Sequence, residues 1–178
     1  HGNSENEENV QKKYPPLPDE DTERLMYHKT NAFLQKAGYE RYEISNFALP
    51  GYQAQHNSAY WEHVPYIGLG PGAHSFLDGR RRWNKEDLSA YIKAGQTGDF
   101  SLVQGGEKLD YEQMMMERVM LGLRTAEGAD EALLREYCSA PALEEAVKNG
   151  NLVPSGGACL RIPENRFFIS DNIISSII

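Results

Sequence analysis

The residues best suited to chemistry begin at position 56, where a histidine stands shortly before two aromatic residues. His56 opens the run HNSAYW, which ends in Tyr60-Trp61. A neutral imidazole nitrogen can coordinate iron, and aromatic rings offer flat apolar surfaces to a macrocycle. The run therefore suits an axial haem ligand, although a single histidine is more often a surface or hydrogen-bonded residue.

Neither the other histidines nor the cysteines form a metal-binding pattern. His63 and His74 follow His56 at spacings of seven and eleven residues, which match no helix face and no zinc template. The two cysteines, Cys138 and Cys159, are too few for the thiolate set of an iron–sulfur centre. We expect both to be reduced, partly buried thiols rather than a disulfide.

A glycine-rich stretch and an arginine cluster follow the HNSAYW run. Gly68, Gly70 and Gly72 alternate along the chain, but Pro71 interrupts them and the third glycine comes too early for a dinucleotide-binding fingerprint. Without side chains on one face, this segment admits either a closely packed strand or a ligand. The cluster Arg80-Arg81-Arg82 is either a solvated loop or a clamp for carboxylates or phosphates.

The elements that carry these residues predict an α+β fold. Asp19 is placed to cap a helix that Gly38 ends, and residues 39–47 alternate as a strand does. Residues 48–79 resemble a loop, and a short helix is predicted from an Asn84 cap to Ala94. The first of these helices is expected to bury Leu25, Met26, Ala32, Phe33 and Ala37, and the second to bury Leu88, Tyr91 and Ile92.

The composition changes near residue 104, where we place a domain boundary between residues 1–104 and 105–178. Asp110 and Gln113 predict a capping box and a helix to Arg124. Two more helices are predicted to open at Asp130 and Pro141. A β-hairpin over 152–162 and a tail helix from Pro163, with Phe167, Phe168, Ile174 and Ile178 on one face, complete a winged-helix-like domain.

The charge and hydropathy of the chain argue against nucleic acids and membranes as binding partners. The 178 residues include 18 Lys and Arg against 26 Asp and Glu, a net charge of −8. The third helix of the winged-helix pattern carries Glu144 and Glu145 against Lys148 alone, so we expect no nucleic-acid binding. No apolar run is long enough for a membrane span, and the polar N-terminus resembles no export signal. These features predict a cytoplasmic protein.

Several motifs together resemble HemW, the haem-chaperone branch of the radical SAM proteins related to oxygen-independent coproporphyrinogen III oxidase. The resemblance is carried by YEISNFA over 42–48, by HNSAYW over 56–61 and by IGLGPGAHS over 67–75. Segments that fit the same family in the same order lie upstream at 17–20, 26–27 and 37–39, and downstream at 121–125. The resemblance extends from about Tyr14 to the C-terminus.

The resemblance implies the C-terminal part of a partial (β/α)₆ barrel over residues 1–104, followed by the family's winged-helix-like domain. It implies a [4Fe–4S] cluster and S-adenosylmethionine in the full-length protein. Because the family's CxxxCxxC motif is absent, we expect a fragment without cluster ligands, without catalytic residues and without radical chemistry of its own. A half barrel exposes a strand edge, so we also expect the fragment either to self-associate or to leave residues 1–40 mobile.

The resemblance also assigns site residues and partners. It implies that His56 is the axial ligand of the haem iron, that Tyr60 and Trp61 shape the same pocket, and that haem or a porphyrin passes to an acceptor protein. It implies a last barrel strand and loop near S-adenosylmethionine or substrate, formed by Gly68, Gly70, Gly72, Ala73 and His74. Two alternatives stay open: a coproporphyrinogen III oxidase, and a docking domain without a ligand.

Overall fold

A computed structural model describes residues 17–178, so the first 16 residues of the predicted domain 1–104 lie outside the described residues. The chain divides into two units, His1–Tyr39 and Glu40–Ile178. The fold is a mixture of helices and β-sheets. The domain boundary that we place between residues 104 and 105 stays a prediction.

The first unit contains helix α1 (Glu20–Lys36). Asp19 caps it as predicted, because its carboxylate accepts a hydrogen bond of 2.8 Å from the Thr22 N–H. Gly38, with a φ of 84°, follows the end of the helix. The face predicted to be buried is largely exposed in three of its side chains: Leu25 (53%), Met26 (56%) and Phe33 (72%). The helical spacing of apolar residues therefore predicted the helix correctly, but the prediction that these side chains are buried was wrong.

Residues 39–47, predicted as one strand, form a small hairpin instead. Strands β1 (Glu40–Arg41) and β2 (Phe47–Ala48) pair antiparallel. The chain reverses between them because the buried Glu43 carboxylate accepts hydrogen bonds from the backbone N–H and the hydroxyl of Ser45, at 3.1 and 3.3 Å. Local side-chain hydrogen bonds of this kind compete with strand pairing.

The segment 48–79 is not a plain loop, because residues of the HNSAYW run form helix α2 (Gln55–Trp61). This helix has seven residues and no side-chain cap, so the signals that mark a helix start are missing. Gly70 and Gly72 have φ values of 105° and 69°, which a strand does not accommodate. The strand predicted over the glycine segment therefore begins only at His74.

A three-stranded antiparallel sheet follows, with β4 at its centre. Its strands are β3 (His74–Leu77), β4 (Arg80–Asn84) and β5 (Gln104–Lys108). The arginine cluster thus lies in a strand and not in a loop. Because side chains alternate along a strand, Arg80 and Arg82 share one face of the sheet and Arg81 lies on the other.

Helix α3 (Leu88–Thr97) connects β4 to β5. Its cap is Asp87, whose carboxylate accepts a hydrogen bond of 2.9 Å from the Ala90 N–H, and not Asn84, which ends β4. The predicted buried positions are wrong in all three cases, because Leu88 is 62% exposed, Ile92 is 50% exposed and Tyr91 is only half-buried. Ala94 is the buried residue of α3.

Between residues 110 and 162 the three predicted helices and the predicted hairpin are present, and one short strand, β6 (Ala129–Asp130), was not predicted. The elements from residue 110 onward are α4 (Tyr111–Gly122), β6, α5 (Glu131–Tyr137), α6 (Ala140–Lys148), β7 (Val153–Ser155), β8 (Cys159–Arg161), a 3₁₀-helix (Glu164–Ile169) and α7 (Ser170–Ile177). The predicted capping box between Asp110 and Gln113 is present. Strand β8 lies between β6 and β7 in a second antiparallel sheet.

The main core lies between these helices and this sheet. Its fully buried side chains include Val119, Leu123, Leu134, Leu152, Ile162 and Ile177. The tail differs from its prediction, because it begins as a 3₁₀-helix and only Phe167 and Ile174 of the four predicted residues are buried. Phe168 and Ile178 are 38% and 44% exposed.

All strand pairs between residues 17 and 178 are antiparallel. Parallel barrel strands are therefore not seen in this part of the chain. Within the same range, every helix is too short or too polar to cross a membrane.

Candidate functional site

Helix α2 brings His56 and Tyr60 together, because residues four apart lie on the same face of a helix. The His56 ring meets the Tyr60 ring edge-on, with centroids 5.0 Å apart and an interplanar angle of 86°. Tyr60 in turn meets Tyr66 at 4.5 Å and 71°. His56 is exposed and has no hydrogen-bond or ion-pair partner among the described residues, so its imidazole is accessible to a ligand.

Trp61 does not join this group, contrary to the expectation that Tyr60 and Trp61 shape one pocket. It lines a cavity of about 440 Å³ on another side of α2, together with Tyr42, Ser58 and Thr125. Its indole N–H is buried and has no acceptor among residues 17–178. Adjacent residues of a helix are separated by about 100° around its axis, which explains why the two aromatic side chains diverge.

Tyr60 borders a second cavity of about 330 Å³. Its walls combine aromatic and apolar side chains with charged ones: Tyr60, His63, Tyr66, Phe76, Arg81, Glu117, Met120, Leu121 and Arg124. His63 contacts both kinds, because its ring stacks on Phe76 with centroids 4.3 Å apart and its Nε2 is 3.2 Å from Glu117. This cavity contains the most connected set of polar side chains near α2.

Glu117 is the central residue of this set. It accepts hydrogen bonds from His63 and Arg81, and Arg81 also donates to Glu107 at 2.8 Å. Burial lowers the pKa of His63 below its ordinary value of 6.5, and the opposing effect of the Glu117 carboxylate is smaller. A neutral imidazole at pH 7 then donates Nε2–H to Glu117.

This cluster was missed at the sequence level. Arg81 and Glu117 are 36 residues apart, and nothing in their local sequence pairs them. One signal was available in helix α4, where Glu117 and Met120 lie at i and i+3 and therefore share a face.

The glycine segment packs against its own chain. A Cβ at Gly68 would lie 2.0 Å from the backbone oxygen of His74, so only glycine fits there. The N–H groups of Gly68 and Gly70 donate to the hydroxyls of Ser75 and Tyr91, at 3.0 and 3.1 Å. Several donors of the predicted S-adenosylmethionine or substrate wall are thus already satisfied within the chain.

The remaining residues of that predicted wall also have contacts within the chain. Gly72 donates to the Lys85 carbonyl at 3.2 Å, and Ala73 donates to the Gly70 carbonyl at 3.3 Å. His74 is exposed on β3, with its ring 6.3 Å from that of Trp83. His74 and His56 therefore have different neighbours.

The cysteines do not fit an iron–sulfur cluster. Cys138 and Cys159 are free, half-buried thiols, and burial raises the pKa of Cys138. Among residues 17–178, no three or more Cys, His, Asp or Glu side chains are grouped as metal ligands.

Comparison with curated proteins identifies relatives of this chain. The chain is 38% identical to the heme chaperone HemW of Lactococcus lactis over 112 residues, which cover 63% of this chain and 29% of that protein. The chain is HemW-like. It is also 45% identical over 65 residues to mitochondrial radical S-adenosyl methionine domain-containing protein 1 of Bos taurus, which covers 36% of the HemW-like chain and 15% of the bovine protein.

The HemW-like chain spans less than a third of the length of these relatives. Among solved structures, it is similar to coproporphyrinogen III oxidase (HemN) of Escherichia coli, a radical SAM enzyme. The TM-score is 0.67 at 16% identity, over 90% of this chain and 42% of that one, and this likeness concerns the fold. No family model matches the chain. The resemblance inferred from the sequence motifs is confirmed.

Proposed function

We propose that this chain provides the haem-binding part of a HemW-like haem chaperone, with His56 as the axial ligand of the iron. The observation that carries the proposal is the exposed His56 imidazole, which has no hydrogen-bond partner among the described residues and is flanked by Tyr60. A neutral imidazole with a free nitrogen lone pair is the form that coordinates iron. The name of the Lactococcus relative supports haem as the ligand.

Tyr60 has a positioning role in this proposal. Its edge-on contact with His56, at 5.0 Å, restricts rotation of the imidazole and leaves an aromatic edge beside the ligand. Trp61 contributes differently, because its indole lies in the separate cavity beside Tyr42. We therefore assign Trp61 to the packing of α2 and not to haem contact.

We also propose a domain architecture for this chain. The order α4, β6, α5, α6, β7, β8, with β8 between its partners, supports a winged-helix-like domain in the C-terminal part. For residues 1–104, the similarity to the radical SAM enzyme HemN supports a related fold, but the antiparallel sheets of residues 17–104 do not contain the parallel strands of a barrel. Radical SAM proteins of this kind use a cluster and S-adenosylmethionine, but the two cysteines here cannot hold that cluster.

Coproporphyrinogen oxidation is not proposed for this chain. The similarity to HemN, at 16% identity, concerns the fold alone, whereas the bacterial relatives found by sequence, such as that of Lactococcus lactis, are named heme chaperones. Self-association is part of the proposal, because large apolar side chains of α1 such as Phe33 are exposed. Light scattering of the purified chain is expected to give a mass above 20.1 kDa.

Haem titration of the purified chain tests the function. We expect a Soret shift with saturable binding, and a His56→Ala variant that binds haem at least about tenfold more weakly, the equivalent of roughly 1.4 kcal/mol. His74→Ala is the matched control, since His74 is also an exposed histidine of the same unit. Equal affinity of the wild type and His56→Ala would reject His56 as the ligand.

A further inference from the structure

One face of the three-stranded sheet carries positive charge that the described residues do not neutralise. Arg80 and Arg82 share this face of β4, and Lys108 of β5 lies directly opposite Arg80. These three side chains have no ion pair or hydrogen bond with any described residue, whereas Arg81 on the other face is held by Glu107 and Glu117. Like charges in directly opposed positions destabilise a sheet. This face is therefore locally positive, although the chain as a whole has a net charge of −8.

The same face borders a cavity of about 240 Å³ that joins the arginines to apolar side chains. Arg80 and Arg82 line it together with Ile67, Leu69, Leu77 and Phe100. Three of these apolar side chains are exposed: Ile67 (69%), Leu69 (85%) and Leu77 (41%). The cavity therefore offers guanidinium groups beside an apolar surface, which is a site for an anion with an apolar body.

The geometry of β4 sets the spacing of the two guanidinium groups. Residues two apart on one strand face are separated by about 7 Å at their Cα atoms. Opposite Arg82 the neighbouring strand has Gly106, where a Cβ would lie 3.4 Å from the Arg82 Cγ, so the arginine stem lies close along the bare strand. Each guanidinium can then grip one carboxylate in a bidentate manner.

We propose that this cavity is a second ligand site, which binds a porphyrin through its two carboxylates and its apolar ring. Arg80 and Arg82 bind the carboxylates, and Ile67 and Leu69 contact the ring. The site lies on the sheet face opposite Phe76 and Arg81, so it is separate from the cavity that Tyr60 borders. The inference takes the porphyrin class of ligand from the proposed function, but it requires no iron and no histidine.

Metal-free protoporphyrin IX is the probe, because it carries two carboxylates and has no iron to coordinate His56. Binding to the full chain is followed by fluorescence anisotropy. The double variant Arg80→Gln/Arg82→Gln is expected to bind at least about tenfold more weakly than the wild type, since two charge-assisted contacts are lost. Lys93→Gln/Lys148→Gln removes the same net charge from exposed helix positions and is expected to leave the affinity unchanged.

A ligand-side experiment keeps the proposal testable if the arginine variant folds poorly. The dimethyl ester of protoporphyrin IX has the same ring without charges, and we expect the wild-type chain to bind it about tenfold more weakly than the free acid. Equal affinity of the wild type for the ester and the free acid would contradict the proposed site. So would a loss of affinity in Lys93→Gln/Lys148→Gln as large as that in Arg80→Gln/Arg82→Gln.

His56→Ala separates this site from the proposed function. The variant is expected to bind metal-free protoporphyrin as the wild type does, even where it loses haem. A loss of metal-free binding in His56→Ala, with no loss in Arg80→Gln/Arg82→Gln, would place the porphyrin at α2 and overturn the inference. One further result would overturn the second site and leave the proposed function standing. In that result His56 coordinates haem, and Arg80→Gln/Arg82→Gln binds metal-free protoporphyrin as tightly as the wild type does.

Discussion

His63 lies flat against Phe76, with ring centroids 4.3 Å apart and ring planes 13° apart, while its Nε2 contacts Glu117 at 3.2 Å. This one side chain therefore connects the end of α2 to strand β3 and helix α4. His63 also has a φ of 58°, an uncommon backbone conformation for a residue other than glycine. We infer that the stacking on Phe76 and the hydrogen bond to Glu117 hold the turn that follows the HNSAYW helix.

The lowered pKa of His63 predicts a pH dependence of stability. In the unfolded chain the imidazole has its ordinary pKa of 6.5, and in the folded chain burial lowers the pKa. The unfolded chain then binds the proton more readily. The contribution of neutral His63 to the free energy of unfolding is therefore complete above pH 6.5. It decreases as the pH falls from 6.5 towards the pKa of His63 in the folded chain.

Thermal unfolding of the wild type and His63→Gln at a series of pH values from about 8 to about 5 checks this. The glutamine side chain can still donate to Glu117 but does not titrate in this range. We expect the melting temperature of the wild type to fall more steeply below pH 6.5. Parallel curves for the two proteins would show that His63 does not contribute to the pH dependence.

Gly68 is expected to tolerate no side chain. An alanine Cβ would lie 2.0 Å from the His74 backbone oxygen, so Gly68→Ala must displace the backbone and is expected to cost about 2 kcal/mol or more. Gly95→Ala in helix α3 is the control, because a Cβ there meets nothing within 4 Å. Alanine at a helical glycine is expected to stabilise by up to about 1 kcal/mol. Chemical denaturation of both variants compares them, and similar midpoints would contradict the close approach.

The core of the C-terminal elements predicts a contrast between two leucines. Leu143 of α6 is 2% exposed, whereas Leu102 is 80% exposed. Leu143→Ala is expected to lower the free energy of unfolding by about 3 kcal/mol, because it leaves a cavity in packed surroundings. Leu102→Ala is expected to change it by less than about 0.5 kcal/mol. Equal effects in urea unfolding would mean that α6 does not belong to the core.

How far the sequence predicted the structure depends on how local the determining signal is. The capping box of Asp110 and Gln113 and the helix that opens at Asp130 were predicted correctly, because caps act within one turn. Helix α2 was missed because it is short and uncapped. The strand expected over 39–47 was wrong because the Glu43 carboxylate turns the chain at Ser45.

In the candidate site, too, local features could be predicted from the sequence and contacts between distant residues could not. The spacing of His56 and Tyr60 on one helix face follows from the sequence once α2 is known to be a helix. The pairing of Glu117 with His63 and Arg81 depends on contacts between α4, β4 and the α2 turn, which no local pattern encodes. The alternation of Arg80 and Arg82 against Arg81 became meaningful only when the cluster was found in a strand.

The role of His56 is tested most directly by spectroscopy that identifies the axial ligand of haem bound to this chain. Resonance Raman spectra of the ferrous complex are expected to show an iron–histidine stretching band in the wild type and in His74→Ala, and to lose that band in His56→Ala. Retention of the same band in His56→Ala would contradict coordination by His56.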